Sequence, residues 1–511
     1  MAWALAILAG LAQAASMAAP WDGQPVWWLQ ILSLSALVVL LQRAATWKNA
    51  GLLGWLFATA WISGCTWWLY ISMHTYGGLA APLAALAVLG LSAFLALYYA
   101  AASAAFFRLI FESNGPEVPA SALWSAIVFA ALWLMAELAR NTWLTGFPWG
   151  AGGYAHGDGP WADLVKFTGV YGLGLLVAVL AALLAQALLQ SRKGQPWVLL
   201  LAVAALLQGG AGLAGGAFST GSGTQTVALL QGNIPQGEKF DQSRGVPVAL
   251  NWYADQLLSS TATLVVAPET AIPLLPRQLP EGYWTALTGR FASGQQSALI
   301  GIPQGSFADG YSNSAIGLQP GKLDPYRYDK HHLVPFGEFI PTGFRWFTQL
   351  MNIPLGDFTR GAVGQGSLVW AGQRWAPNIC YEDLFGEEIG ARFADAATAP
   401  TVLVNMSNIG WFGDSIAIDQ HLQISRMRAL EFERPMIRAT NTGATVIIDH
   451  RGRVTASVPR HTRGVLAGEV QGRTGITPFA WWVARFGLWP LWILAIAIVL
   501  VAINKARART S

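Results

Sequence analysis

Apolar positions along this chain fall into two textures. Long uninterrupted runs, each approaching the roughly 20 residues that span a bilayer, occupy 1–19, 26–42, 51–73, 79–107, 120–139, 165–190, 196–215 and 481–503. They predict eight membrane helices, seven before and one after a central segment of different character. The first run, with Ala12-Gln-Ala14, also fits a signal peptide, but it lacks a basic leading region, so an uncleaved helix is expected. From 217 to 480 the apolar runs shorten: Thr226–Leu230, Thr263–Val266, Ala298–Gly301, Thr401–Val404 and Thr445–Ile448. Helix-compatible stretches at 244–259, 281–293 and 418–432 separate several of them. Short β-rich runs spaced by helices indicate a layered α/β domain, and this length is ample to bury a core. The expected organisation is 1–216 in the membrane, 217–480 as an inserted α/β domain, and 481–511 as a last span with a tail. The Gly/Ala/Ser-rich stretch 208–224 is the joint between the first two.

Composition agrees with lipid as solvent. Hydrophobic residues make up 54% and charged residues 11%, against about 25% charged in ordinary soluble proteins. The inserted segment holds 21 of the 27 acidic residues. The net charge of +4 is small for this length and forms no basic stripe, which argues against nucleic acid as a partner. Arg43 and Lys48, Arg108, Arg192 and Lys193, and the Lys505–Arg509 cluster all fall on one side of the membrane if both termini are inside. Under the positive-inside rule the inserted domain is then external, on the periplasmic side of a bacterial inner membrane. Two cysteines, one in an apolar run, make no disulfide framework and leave Cys380 as a free thiol.

Three stretches of the inserted domain carry chemistry. Val265–Pro273 ends a strand-like run with Glu269, Tyr328–Pro341 carries Lys330 and Glu338, and Ala376–Phe385 places Cys380 between a buried run and the acidic pair Glu382-Asp383. A lone cysteine is more often a small core hydrophobe than a nucleophile. Ionisable groups at the ends of apolar runs are costly unless the charges meet. A carboxylate can take a thiol proton, and a cation can stabilise the oxyanion that follows. A Glu/Lys/Cys set is therefore sufficient for acyl transfer through a thioester. A structural Glu269–Lys330 ion pair beside an inert cysteine is the competing reading.

Pro268-Glu269, Lys330–Glu338 and Cys380-Tyr-Glu382 resemble the three signature blocks of the nitrilase superfamily, in that family's order. Fused to membrane spans, such a domain resembles the apolipoprotein N-acyltransferase family. The resemblance extends to Gln231–Gln236, Asn405–Phe412 and the loop Gly146–Trp149. It implies a nitrilase-like αββα sandwich inserted into a bundle of eight helices, with Glu269 as base, Lys330 as oxyanion stabiliser and Cys380 as nucleophile. Glu338 would hold Lys330 or assist Glu269, the Tyr381 N–H would be a second oxyanion donor, and Glu382 would orient Cys380 or Tyr381, or cap the next helix. The acyl donor would be a phospholipid such as phosphatidylethanolamine, and the acceptor the amine of an S-diacylglyceryl-cysteine at an apolipoprotein N-terminus. No cofactor is implied, and nothing demands more than a monomer in the bilayer. Trp411, Phe412, Phe240 and Trp149 are candidate substrate contacts. Phe240 stands where the family pattern leads one to expect Trp.

Weaker signals have simpler readings. His331 and His332, adjacent on a strand, would point to opposite faces and so not form a metal pair. Glu137 and Arg140, spaced i,i+3, would pair with each other and support the 146–149 loop. The apolar stretch 344–355 would be a lipid-dipping lid or core. Two rival functions remain: a membrane-tethered amidase whose thioester is resolved by water, and a sensor or transporter whose domain only binds.

Overall fold

The structure is a computed structural model that describes residues 1–112, 121–190, 194–306, 308–322, 324–341, 343 and 357–510. The chain forms two compact units, one of Met1–Trp67, Pro82–Gly216 and Phe486–Ser511, the other of Trp68–Ala81 and Ala217–Arg485.

The first unit is helical. Among the described residues, five helices are long and apolar enough to cross a membrane: Ala81–Glu112, Ala122–Thr145, Ala162–Leu189, Gly194–Ala214 and Trp489–Arg509. Trp47–Thr66 with Leu69–Tyr76 makes a sixth if taken as one bent span. Ala2–Met17 and Trp27–Gln42 are apolar but only 16 residues long each, below the usual ~20. By length and composition five helices, or six with the bent pair, are full spans among the described residues, and the two shorter apolar helices bring the apolar segments to eight. Glu137 and Arg140 support the 146–149 loop as expected, each through backbone groups of that region. Glu137 accepts from the Gly152 N–H at 2.9 Å, while Arg140 donates to Tyr99 at 3.0 Å and to the carbonyls of Phe147 and Trp149 at 3.2 and 2.7 Å. Buried charge needs several partners, and the loop backbone supplies more of them than one side chain could.

Among the described residues the second unit holds twelve strands in two sheets. The first contains β1 (Ser219–Gln231), β2 (Leu264–Val266), β3 (Ser297–Ser306), β4 (Gly310–Leu318) and β5 (Tyr326–Asp329). The second contains β6 (Leu368–Trp370), β7 (Gln373–Ile379), β8 (Val402–Ser407), β9 (Met436–Thr440), β10 (Val446–Ile448) and β11 (Val454–Ser457). The last strand, β12 (Gly464–Gly475), returns to the first sheet, giving the orders β12-β1-β2-β3-β4-β5 and β11-β10-β9-β8-β7-β6. β1, β2 and β3 run parallel, as do β7, β8 and β9, and the outer strands are antiparallel.

Period-two side chains explain the layers. Leu264 and Val266 of β2 face Trp375, Val402, Val404 and Met406 of the other sheet, forming the core between the sheets. Val265 points the opposite way, with Ala298 and Ile300, against Tyr253, Leu257, Leu287 and Phe291. Those last four belong to α1 (Gly245–Ser259) and α2 (Tyr283–Ser293). On the second sheet α3 (Ala417–Phe432) packs against β9. Strands buried on both faces read as continuous apolar runs rather than alternating ones. Helix, sheet, sheet and helix make an αββα sandwich with two mixed sheets. Its loops at the carboxyl ends of parallel strands are where such sheets place ligands.

Candidate active site

Four site residues follow directly on strand ends. Glu269 lies just beyond β2, Lys330 just beyond β5, Cys380 just beyond β7 and Asn408 just beyond β8. Cys380 adopts φ +53°, Thr270, next to Glu269, φ +47°, and Phe336, between Lys330 and Glu338, φ +64°. Residues with a Cβ rarely visit this left-handed region, and each costs of order 1–3 kcal/mol. At Cys380 the turn lifts the thiol off the strand, in the manner of a nucleophile elbow. Its carbonyl is held from two sides, by Asn405 Nδ2 at 3.1 Å and His421 Nε2 at 3.2 Å. Behind it His421 meets Asp383 at 2.9 Å, and Asp383 accepts from Ser425, which accepts from Arg438.

Glu269, Lys330 and Glu338 meet directly. Lys330 Nζ lies 3.2 Å from Glu269 Oε1 and 2.9 Å from Glu338 Oε1. Asn313 Nδ2 bridges the same two oxygens at 2.7 and 2.8 Å. The second Glu269 oxygen accepts from the Asn408 N–H at 2.8 Å, and the second Glu338 oxygen from the Val334 N–H at 2.8 Å. All four side chains are buried or nearly so, with Lys330 1% exposed.

Charge sets the protonation of this group. Burial disfavours the ionised Glu269, but Lys330 and then Lys239 outweigh it and hold the carboxyl below its ordinary 4.5. Burial likewise works against the Lys330 ammonium, and Glu269 and Glu338 more than restore it, so its pKa is raised. Cys380 keeps an exposed edge, yet its thiol is pushed up to about 12, by burial first and by the Glu269 charge second, with Lys330 pulling the other way. The resting arrangement is therefore a neutral thiol beside an ionised carboxylate, ready to give its proton when sulfur attacks.

The remaining predicted residues fall in several places. Glu382 lies within the helical turn Cys380–Leu384 and caps it, its carboxylate accepting from the Ile379 N–H that opens the turn. One of its oxygens accepts from the N–H groups of His331 (2.6 Å) and His332 (3.2 Å), the other from the Ile379 N–H (2.6 Å) and the Tyr328 hydroxyl (2.8 Å). It clamps the cysteine turn to the lysine segment. Tyr381 is buried, edge-on to Phe385 at 5.3 Å. His331 and His332 do not point apart, because β5 ends at Asp329 and the chain turns. Both imidazoles reach Glu388, at 3.8 and 2.8 Å. Phe412 packs on Trp68 at 4.2 Å and Trp411 edge-on to Tyr76 at 5.9 Å. Phe240 is half-buried in the turn after β1, and Trp149 is buried in the helical unit. The stretch 344–355 lies outside the described residues. Among the described residues no group of three or more His, Cys, Asp or Glu is placed to hold a metal ion.

Three residues escaped the sequence: Asn313, Asn408 and Lys239. Asn313 sits in β4, whose Tyr-Ser-Asn-Ser stretch has no apolar run to announce it. Asn408 acts through its backbone, which no side-chain pattern reveals. Lys239 precedes Phe240 in a block already notable for its glutamines, and its Nζ lies 3.1 Å from the Glu269 carbonyl.

Residues 9–183 match the family model for the apolipoprotein N-acyltransferase N-terminal domain, and residues 226–478 match that for carbon-nitrogen hydrolase. An apolipoprotein N-acyltransferase of Verminephrobacter eiseniae is 58% identical, covering 96% of this chain and 94% of its own length. One of Ralstonia nicotianae is 47% identical, covering 94% and 90%. Among solved structures, a carbon-nitrogen hydrolase of Helicobacter pylori aligns over 53% of this chain and 95% of its own, at 18% identity and a TM-score of 0.35.

Proposed function

This chain belongs to the apolipoprotein N-acyltransferase family, and from that premise we propose that it transfers a fatty acyl chain from a phospholipid to a lipoprotein N-terminus through a thioester on Cys380. The observation that carries the reading is the buried Glu269–Lys330–Glu338 cluster acting on the Cys380 thiol. Glu269 takes the thiol proton as sulfur attacks the ester carbonyl. Lys330, with the Tyr381 N–H, stabilises the tetrahedral oxyanion. The intermediate collapses, the lysophospholipid oxygen leaves with the proton from Glu269, and a thioester remains. The α-amine of an S-diacylglyceryl-cysteine then attacks the thioester and gives a proton to Glu269. Collapse forms the amide, and the departing sulfur recovers that proton. Glu338 steadies Lys330 throughout, and Trp411, Phe412, Phe240 and Trp149 contact the lipids.

In this reading residues 1–216 and 481–511 are the membrane part, and 217–480 the catalytic domain on the periplasmic face of the inner membrane. Phosphatidylethanolamine supplies the chain, and a single copy suffices. Incubating the purified protein with labelled phosphatidylethanolamine and a diacylglyceryl-cysteine peptide tests the reading. Label in an amide on the peptide supports it, whereas label released only as free fatty acid supports a hydrolase instead.

A further inference from the structure

Two carboxylates of the active site, Glu269 and Glu338, face one ammonium, that of Lys330. When the Cys380 proton passes to Glu269, one negative charge moves to sulfur and the site keeps its excess of one over Lys330. In surroundings that exclude water, an unbalanced charge of this kind is opposed strongly. A second cation is nearby. Lys239 leaves the turn after β1 and is 2% exposed. Its Nζ donates to the backbone oxygen of Glu269 at 3.1 Å, next to Thr270 with its left-handed φ of +47°. The charges acting on it are those of Glu269 and Cys380. Those acting on the thiol are Glu269, Lys330 and Glu338, and the thiol in turn acts on Arg438, whose guanidinium sits behind Asp383 and His421.

We infer that Lys239 is the second cation of the site, a positioning residue that fixes the Glu269 main chain and offsets the carboxylate charge that Lys330 alone leaves unbalanced. The inference rests on the proposed roles of Cys380 and Glu269. It differs from them because Lys239 touches neither reacting atom. Burial lowers the Lys239 pKa to about 7, with Glu269 and the thiol resisting. The balancing charge is thus present below neutrality and lost above it, a signature that a purely structural lysine would not leave.

The test is the pH dependence, from 5.5 to 9, of Cys380 alkylation by iodoacetamide. Rates are read by peptide mapping on the full-length protein in detergent, with unfolding temperatures as the fold control. For an isolated thiol the logarithm of the rate climbs one unit per pH unit below its pKa. The wild type should instead bend near pH 7, as Lys239 loses its proton and the thiol becomes harder to ionise. Lys239→Arg keeps its charge and should show no bend. Lys239→Met should react about tenfold more slowly at pH 6 and converge with the wild type above pH 8. Should the Met variant not fold, the bend in the wild type and its loss in the Arg variant still decide. A Met profile parallel to the wild type, or a bend that persists in Lys239→Arg, overturns the inference. Glu269→Gln is run alongside: if it leaves Cys380 reactivity unchanged at every pH, the proposed base is wrong, and that result is separate from the Lys239 outcome.

Discussion

Asn313 Nδ2 lies 2.7 Å from Glu269 Oε1, closer to that oxygen than the Lys330 ammonium at 3.2 Å. The same nitrogen reaches Glu338 at 2.8 Å. A neutral amide thus ties together the two carboxylates that share one lysine. It keeps Glu269 oriented whatever the proton on Cys380 is doing.

Asn313→Ala should therefore impair the site without emptying it of charge. Both carboxylates lose a donor, and hydrogen bonds to charged groups are worth about 1.5–3 kcal/mol. The expected outcome is a 10- to 100-fold slower formation of the acyl-enzyme, with a lower unfolding temperature. Single-turnover acylation and calorimetry check the two parts.

Glu269 is held below its ordinary 4.5. Its ionised form is the favoured one in the folded state, so its contribution to stability is present above the unfolded pKa and lost as pH falls through the folded one. Acylation in the wild type should keep Glu269 competent down to pH 4.5, with its acid limb lying lower still. The stability gap between wild type and Glu269→Gln should begin to narrow as pH falls below 4.5 and close once pH has passed through the folded value. Thermal unfolding of both proteins from pH 3 to 7 measures it.

Glu388 shows the opposite sign. Burial raises its carboxyl to about 8, so the neutral form belongs to the fold, and stability is lost as pH rises from the unfolded value through 8. Glu388→Gln preserves an acceptor for His332 and removes the ionisation. The variant should be more stable than wild type at pH 8 and show a flatter dependence of unfolding temperature on pH between 5 and 8.

The left-handed backbone at Cys380 gives a further expectation. Cys380→Gly relieves the strain at φ +53°, whereas Cys380→Ala retains it. The Gly variant should match or exceed the Ala variant in stability although glycine costs about 0.4–1 kcal/mol through the unfolded chain. Both should be inactive. Denaturant unfolding compares them.

The parts of this fold that are legible in sequence are those buried on both sides. Leu264-Val-Val266 and Val402-Leu-Val404 stand out because each residue is apolar, whichever sheet face it takes. β4, β5, β9 and β12 are hidden by polar residues that the structure satisfies internally, such as Ser312 and Ser314 on Asp329 and Arg438 on Ser425. Glu269, Lys330 and Cys380 could be picked out because each ends a recognisable run and each belongs to a resembling block. Glu382 was visible as a residue but not as a clamp, since its donors from His331 and His332 come from some fifty positions away. Asn313 and Lys239 reach Glu269 only through the folding of β4 and of the turn after β1, so nothing local marks them. The helical segments were legible by apolarity, although two of them close after 16 residues each, short of a full span.

The most direct test of the central claim is the intact mass of the purified protein after exposure to phosphatidylethanolamine, beside Cys380→Ala and Glu269→Gln. The account predicts a gain of one fatty acyl chain, labile to hydroxylamine, in the wild type alone. It also predicts that this chain moves to the amine of an added diacylglyceryl-cysteine peptide. A folded wild-type protein that stays unmodified, or an adduct that survives in Cys380→Ala, would contradict it.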